Sequence, residues 1–334
     1  MSVWVQNLIL GVSVTVFALL FTAYARTDRW QRAWARLRKN RLGMISLAVV
    51  CVYLLIAATE SVAVSAPSNA TGQISALDWL FKNVPRERGY SAPLATTTYE
   101  ANKPEPLKGR HLLGTDLLGR DVLVQTMKGC RTALIIGGLT SVIYIPIGAL
   151  LGITAGYYRR WVDDVIQYIY STVASIPDIL LLIAILMILG RGLDRMAFAL
   201  SVTAWVGLCR LVRGETFRQA AKPYVEAARA LGESNGKIIV FHILPNVMHL
   251  VVINFVLGFS GLVLAEAILS YLGVGAPVGT ASWGAMIDSA RMELSREPMV
   301  WWNLGAATAA VFGLVLSLNL FGDALRRAFD PKAV

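Results

Sequence analysis

The sequence predicts an all-α protein, a polytopic helix bundle that crosses a membrane. Three observations predict it. Hydrophobic residues make up 56% of the 334 positions and charged residues only 16%, where a soluble domain carries about 25% charge. Seven segments, at about 3–25, 44–65, 132–156, 165–190, 196–212, 246–275 and 298–320, are apolar enough to cross a bilayer, which takes roughly 20 residues per helix. The segments between them divide the basic residues unevenly, as membrane topology requires. Backbone groups in lipid must be satisfied internally, so each apolar segment reads as a helix. This composition disfavours a soluble enzyme and disorder, which needs low hydrophobicity. The net charge of +10 alone suits a nucleic-acid binder, but too little polar surface accompanies it, and no nucleic-acid partner is expected.

The elements follow in order. Segment 3–25 reads as an anchor helix. Ala23-Tyr24-Ala25 offers a rival reading as a signal-peptidase site. No Lys or Arg precedes the apolar run, however, and the run exceeds a usual signal core, so an uncleaved anchor is preferred. Residues 26–43 carry seven basic residues against one acid, Asp28, which makes that strip cytoplasmic. Residues 1–43 thus form an anchor and basic segment, 44–65 the first core span, 66–128 an extracytoplasmic loop, and 129–334 the core.

Alternation places 157–164, 210–245 and 321–334 inside, and 191–195 and 276–297 outside. The C-terminus is then cytoplasmic and the N-terminus outside. Inner segments hold 18 basic residues against eight acids, and outer segments 12 against ten. The loop 66–128 contains Pro85, Pro93, Pro104 and Pro106 and reads as turns. Thr115 or Asp116 could cap a short interfacial helix bearing Leu117, Leu118, Val122 and Leu123. The span 196–212 is the weakest, and Arg195 and Arg210 at its edges would snorkel.

The loop 210–245 is the informative one. Pro223 suits a first helical turn and Gly232 a C-terminal stop, giving a helix over 223–231. Ser234 can cap a second helix to Leu244, which Pro245 interrupts. The helices alone are compatible with an ordinary amphipathic connector. Ala227 and Ala228 make the first one slim, as insertion into a partner's groove requires.

Glu226-Ala227-Ala228, then Gly232, then His242-Ile-Leu244-Pro245 resembles the EAA loop of ABC importer permeases. His242-Ile-Leu-Pro-Asn narrows the resemblance to the oligopeptide and dipeptide branch. His111-Leu-Leu-Gly-Thr-Asp-Leu-Leu-Gly-Arg-Asp-Val-Leu, Leu264-Ala-Glu-Ala-Ile-Leu-Ser-Tyr-Leu-Gly-Val-Gly275, Ser282-Trp-Gly and Gly322-Asp323-Ala-Leu-Arg326-Arg-Ala-Phe-Asp330-Pro fit the C-type (OppC/DppC-like) subunit of that branch. The resemblance runs from about 36 to 332, and the segment 3–25 departs from it.

It implies a type I (MetI-like) permease fold with about six core spans in a bacterial inner membrane. It implies a peptide-importing channel half, partnered by a second permease, two cytoplasmic ATPases and an external substrate-binding protein. Glu226, Ala227, Ala228 and Gly232 would meet an ATPase, and Leu244 and Pro245 would fix the return to the membrane. The resemblance also covers importers of nickel complexes, opines, glutathione and sugars.

The chain is not expected to hydrolyse ATP or to bind a cofactor or metal; ATP and magnesium belong to partner ATPases. Gly232-Glu-Ser-Asn-Gly236-Lys237-Ile is one residue short of a P-loop and lacks its hydroxyl. Cys51, Cys130 and Cys209, with His111, His242 and His249, make no ligand pattern. Asp178 and Glu266, acids within spans, are candidates for the translocation pathway. The other reading for each is pairing within the bundle, preferred for Glu266. Together they could instead be an enzyme's acid pair. An ion-driven transporter would need internal repeats, which the sequence does not display. Gly148, Gly152 and Gly156 form a stripe for close helix packing, with Gly261 and Ala265 a weaker pair. Trp301 and Trp302 read as interface anchors at the outer edge.

Overall fold

A computed structural model describes residues 28–65, 73–99, 104–277 and 279–329. The anchor expected at 3–25 lies outside them. Eleven helices are named here: α1 Asp28–Lys39, α2 Arg41–Ser61, α3 Ala76–Leu80, α4 Val122–Tyr158, α5 Arg160–Ala174, α6 Asp178–Leu189, α7 Leu193–Ala220, α8 Pro223–Ala230, α9 Asn235–Tyr271, α10 Trp283–Leu294 and α11 Trp302–Phe329. A small antiparallel hairpin pairs β1, Ala63–Ser65, with β2, Gln73–Ser75. Among the described residues, α2, α4, α7, α9 and α11 are long and apolar enough to cross a membrane, and the bent pair α5–α6 makes a sixth candidate.

Helix α1 lies at the basic end of the bundle. Trp30, Ala33 and Leu37 recur on one side and are buried, while Arg32, Arg36, Arg38 and Lys39 stay exposed. Trp30 meets Phe329 edge to face, with ring centroids 4.7 Å apart, so α1 is pinned to the last turn of α11. Asn40 then starts α2 by accepting a hydrogen bond from the Gly43 amide.

The central contact joins α4 and α7. A Cβ at Gly148 would stand 2.9 Å from the Trp205 carbonyl oxygen. One at Gly152 would stand 2.8 Å from that of Cys209, and one at Gly156 2.8 Å from that of Arg213. The stripe therefore seats α7 backbone directly on α4, within this subunit. Gly261 has no atom near its would-be Cβ, so the second pair is not a close approach.

At the opposite end the Ser282-Trp-Gly motif ties α9, α10 and α4. Ser282 caps α10 and donates to Glu266 Oε1 at 2.6 Å. Buried Trp283 donates its indole N–H to the Thr126 carbonyl at 2.8 Å, over Gly129. Gly284 lies against the Ala267 backbone.

Four expectations are corrected. The stretch after His111 forms turns and isolated bridges rather than a helix capped by Thr115 or Asp116. Asp116 instead accepts from the Leu118 and Arg120 amides, and α4 starts at Val122, capped by Asp121. His111, fully buried, bonds the same Asp121 at 2.8 Å, which locks this turn onto α4. Segment 165–190 is not one straight helix: it breaks by 83° around Ser175-Ile176-Pro177 and can cross only as a bent pair, where Pro177 disfavours helix at the residue before it. Pro245 does not interrupt its helix, because a π-helical turn, Ile238–Ile243, carries α9 through it. Trp302 is no interface anchor. It is 2% exposed and donates to the Thr115 carbonyl, leaving Trp301 as the exposed ring.

The loop between α2 and α4 is also held by Glu293, a buried acid of α10. Asn303 Nδ2 donates to both its carboxylate oxygens, at 3.1 and 3.0 Å, and the Tyr90 hydroxyl donates to one at 3.3 Å. Burial raises the Glu293 pKa above its ordinary 4.5, against the lowering effect of these donors. A raised folded-state value means the native protein holds the proton more tightly than the unfolded chain. That stabilisation is full below the ordinary value and is lost as pH rises through the folded one. Glu293→Gln should therefore flatten the decline of Tm that sets in as pH rises past the ordinary glutamate value, read by thermal unfolding in detergent. In the same assay Gly152→Ala should lose about 1–3 kcal/mol by overpacking against α7, while Gly261→Ala should leave Tm unchanged.

Candidate functional site

The site builds from the turn at the basic end of α7. Helix α7 stops at Ala220, and α8 begins at Pro223, whose missing amide costs nothing in a first turn. Val225 and Ala228, three residues apart, are 0% and 5% exposed and seat α8 against its own chain. Glu226, Ala227 and Ala230 point away and are exposed.

Gly232 ends the helix. Its φ is +81°, its amide bonds the Arg229 carbonyl, and the Glu233 amide bonds that of Ala228. That pair of bonds is a Schellman termination, which favours glycine at this position. The glycine is there for its backbone conformation, since no atom would obstruct a Cβ.

The expected site residues thus divide. Glu226, Ala227, Gly232 and Pro245 are exposed, Leu244 is half-buried, and Ala228 faces inward. Ala228 and Gly232 are joined through the helix termination; Leu244 and Pro245 lie across the π turn. Two exposed residues escaped sequence reasoning. Leu231 is 84% exposed at the tip of α8, and Phe241 is 69% exposed on the π turn. Leu231 had one legible sign: a large apolar residue in the last position before a helix-ending glycine, flanked by Arg229 and Glu233. Leu231 leaves an apolar tip at the end of a slim helix that also exposes Glu226 and Arg229.

Asp178 is exposed at the first turn of α6, at the elbow. A carboxylate there is favoured by the helix dipole. Glu266 is wholly buried and accepts hydrogen bonds from Ser270 at 2.8 Å and Ser282 at 2.6 Å. This agrees with its reading as an acid paired inside the bundle. The two acids share no hydrogen bond, so the geometry assembles no acid pair from them.

Residues 148–334 match the family model described as binding-protein-dependent transport system inner membrane component. Residues 28–80 match that of the N-terminal TM domain of oligopeptide transport permease C. The chain is 32% identical to the dipeptide transport system permease protein DppC of Alkalihalophilus pseudofirmus, over 92% of each chain. It is 30% identical to the oligopeptide transport system permease protein OppC of Bacillus subtilis, over 91% of this chain and 90% of that one. It is 36% identical to the glutathione transport system permease protein GsiD of Pectobacterium atrosepticum, over 66% and 73%. A solved chain of the MetNI methionine ABC transporter in an inward-facing conformation aligns with TM-score 0.47 at 22% identity, over 63% of this chain and 96% of that one.

Gly232→Ala would place a Cβ on a left-handed backbone, at a cost of about 1–2 kcal/mol. It should speed amide exchange at Glu233 and leave the exchange of α4 amides unchanged, as hydrogen–deuterium exchange would report.

Proposed function

The chain belongs to the binding-protein-dependent transport system inner membrane components, as a permease subunit of an ABC importer, and from that premise we propose that it imports peptides and is driven through α8. The peptide cargo is supported by the printed names of the relatives: dipeptide, oligopeptide and glutathione permeases all handle a peptide backbone. The glutathione relative supports a second reading in which only the cargo differs. In both readings the chain forms half of a translocation pathway with a homologous permease. An extracytoplasmic binding protein delivers cargo, and two cytoplasmic ATPases consume ATP and magnesium.

The observation that carries the coupling half of the proposal is the free outer face of α8. Leu231 is a large apolar side chain held almost entirely in water, an arrangement that suits insertion into a partner's pocket. Glu226 and Ala227 flank it on the same free side, and Gly232 fixes the backbone beneath it. Ala228 contributes from within, as the small residue that lets α8 sit close to its own bundle. Leu244 and Pro245 carry the chain from this surface into α9. The surface belongs in the cytoplasm of a bacterial inner membrane, on the same side as the basic helix α1 and the C-terminus. Asp178, exposed at the α5–α6 elbow, is the pathway residue of this proposal and would meet a cationic peptide amine. Glu266 holds α9 to α10.

The test is affinity purification of the tagged chain from its own host, with subunit composition and labelled-peptide uptake measured on one preparation. Wild type should bring ATPase subunits with it. Leu231→Asp should lose them and lose uptake while keeping its Tm, because the side chain touches almost nothing of its own protein. Retention of the ATPases by this variant would refute α8 as their contact.

A further inference from the structure

Polar residues on three spans converge on α8 in a manner its apolar seat does not explain. Val225 and Ala228 bury α8, but apolar contacts are non-directional and do not fix its angle. Directional bonds do. The Tyr224 hydroxyl donates to Gln219 Oε1, at the end of α7, at 2.8 Å. The Tyr224 hydroxyl oxygen in turn accepts from Asn246 Nδ2, on α9, at 3.3 Å. One hydroxyl in α8 therefore joins both flanking spans, using its proton toward one and a lone pair toward the other.

Each partner is itself held. Gln219 is 4% exposed and donates through Nε2 to Glu215. Asn246 Nδ2 also donates to the His242 carbonyl at 2.6 Å, just after the π turn. Beyond Gly232 the chain is gripped again: His242 Nε2 lies 2.9 Å from Glu233 Oε2. Helix α4 adds a third support. Its Tyr157 hydroxyl donates to Asn235 Oδ1 at 2.8 Å, and the Arg229 guanidinium stands 5.0 Å over the Tyr157 ring.

We infer that Gln219, Tyr224, Asn246, Glu233 and His242 are positioning residues: a hydrogen-bonded frame that holds α8 at a fixed angle to α7 and α9, so that displacement of α8 moves both spans together. The inference rests on the reading of α8 as the ATPase contact. It differs in kind from that contact, because Tyr224, Gln219 and Asn246 face their own chain and leave Leu231 untouched. Bonds that reinforce one another in a chain resist bending more than isolated pairs do. Without the frame α8 would still be bound by its partner, but it would pivot on Val225 and Ala228 and pass on less of the stroke.

The experiment uses the complex that co-purifies with the tagged chain, reconstituted with its binding protein in liposomes. ATP hydrolysis and uptake of a labelled di- and tripeptide mixture are measured on the same vesicles. Tyr224→Phe removes one oxygen atom and His242→Ala removes the grip on Glu233. Each should retain its ATPase subunits yet lower peptide moved per ATP by about fivefold or more, the size of a typical coupling free energy. His242→Gln, which restores a nitrogen donor toward Glu233, should recover most of that loss. Tyr224→Phe combined with Gln219→Leu should lower the ratio by less than the two single losses added, since the two side chains share one hydrogen bond. A merely structural role would lower Tm and leave the ratio of uptake to hydrolysis unchanged.

An unchanged ratio in Tyr224→Phe and His242→Ala overturns the frame while the ATPase contact stands. Loss of the ATPases from these variants overturns it in favour of direct docking. A wild-type complex without ATPases overturns the reading beneath it, and the frame with it.

Discussion

Three glycines set the distance on which the rest of the bundle depends. In hydrocarbon two helices gain nothing from hiding apolar side chains, since lipid is as apolar as leucine, so they associate through close packing and backbone approach. Gly148, Gly152 and Gly156 remove every side-chain atom from one stripe of α4, and the carbonyls of Trp205, Cys209 and Arg213 come down onto it. This fixes where α7 ends relative to where α4 ends. Tyr157 and Gln219, which hold α8 from two sides, are placed by that stripe. The bidentate pairing of Arg213 with Asp163 then fastens α5 to the same end of α7.

The two ends of the bundle are built by different chemistry from its middle. At the loop end, polar groups leave water only where a partner waits for them. His111 bonds the residue that caps α4, Glu293 gathers Asn303 and Tyr90, and Glu266 takes two serines. Each such group would be costly to bury alone. Because His111 and Glu293 meet partners from other segments, the loop between α2 and α4 is bound to α4, α10 and α11, while Glu266 Oε2 stays buried without a hydrogen-bond partner. At the basic end charge is left in water, on α1 and around α8, and only the supports of α8 are turned inward.

How much of this was legible in the sequence depends on which physical property each feature expresses. The core spans are legible because crossing a membrane is a matter of length and composition, which a window of residues records. Gly232 is legible because helix termination needs a positive φ that glycine supplies without strain. The elbow at Ser175-Ile176-Pro177 was not, since its flanks are as apolar as a continuous span and hydropathy carries no direction. The π turn was hidden for a related reason. One extra residue per turn changes no composition, and it let α9 pass Pro245 where an α-helix would have been expected to stop. Thr115 and Asp116 misled because the same side chains that cap helices also close turns. Among the site residues, the exposure of Glu226 and Ala227 follows from a helix that buries Val225 and Ala228, but which face that is, and the exposure of Leu231, depend on how α8 sits on the bundle. The frame around Tyr224 was illegible altogether, for its members are hydrogen-bonded across 4 to 22 sequence positions with no periodicity.

These departures from regular helix are also where the molecule can bend. The α4–α7 pair is packed backbone to backbone along Gly148, Gly152 and Gly156, and α4 carries Pro146 inside it, just before that stripe. Helix α9 leaves the α8 turn through a π turn, a rare conformation found mostly as a single-turn bulge, often at functional sites. The α5–α6 pair turns by 83° across residues with few helical bonds. If α8 is driven as proposed, a displacement would reach the α4–α7 pair on one side, through Gln219, and the π turn on the other, through Asn246. The bend that carries Asp178 lies in a different segment, α5–α6, which Arg213 and Asp163 fasten to α7, so a stroke through α7 would reach the elbow by that ion pair.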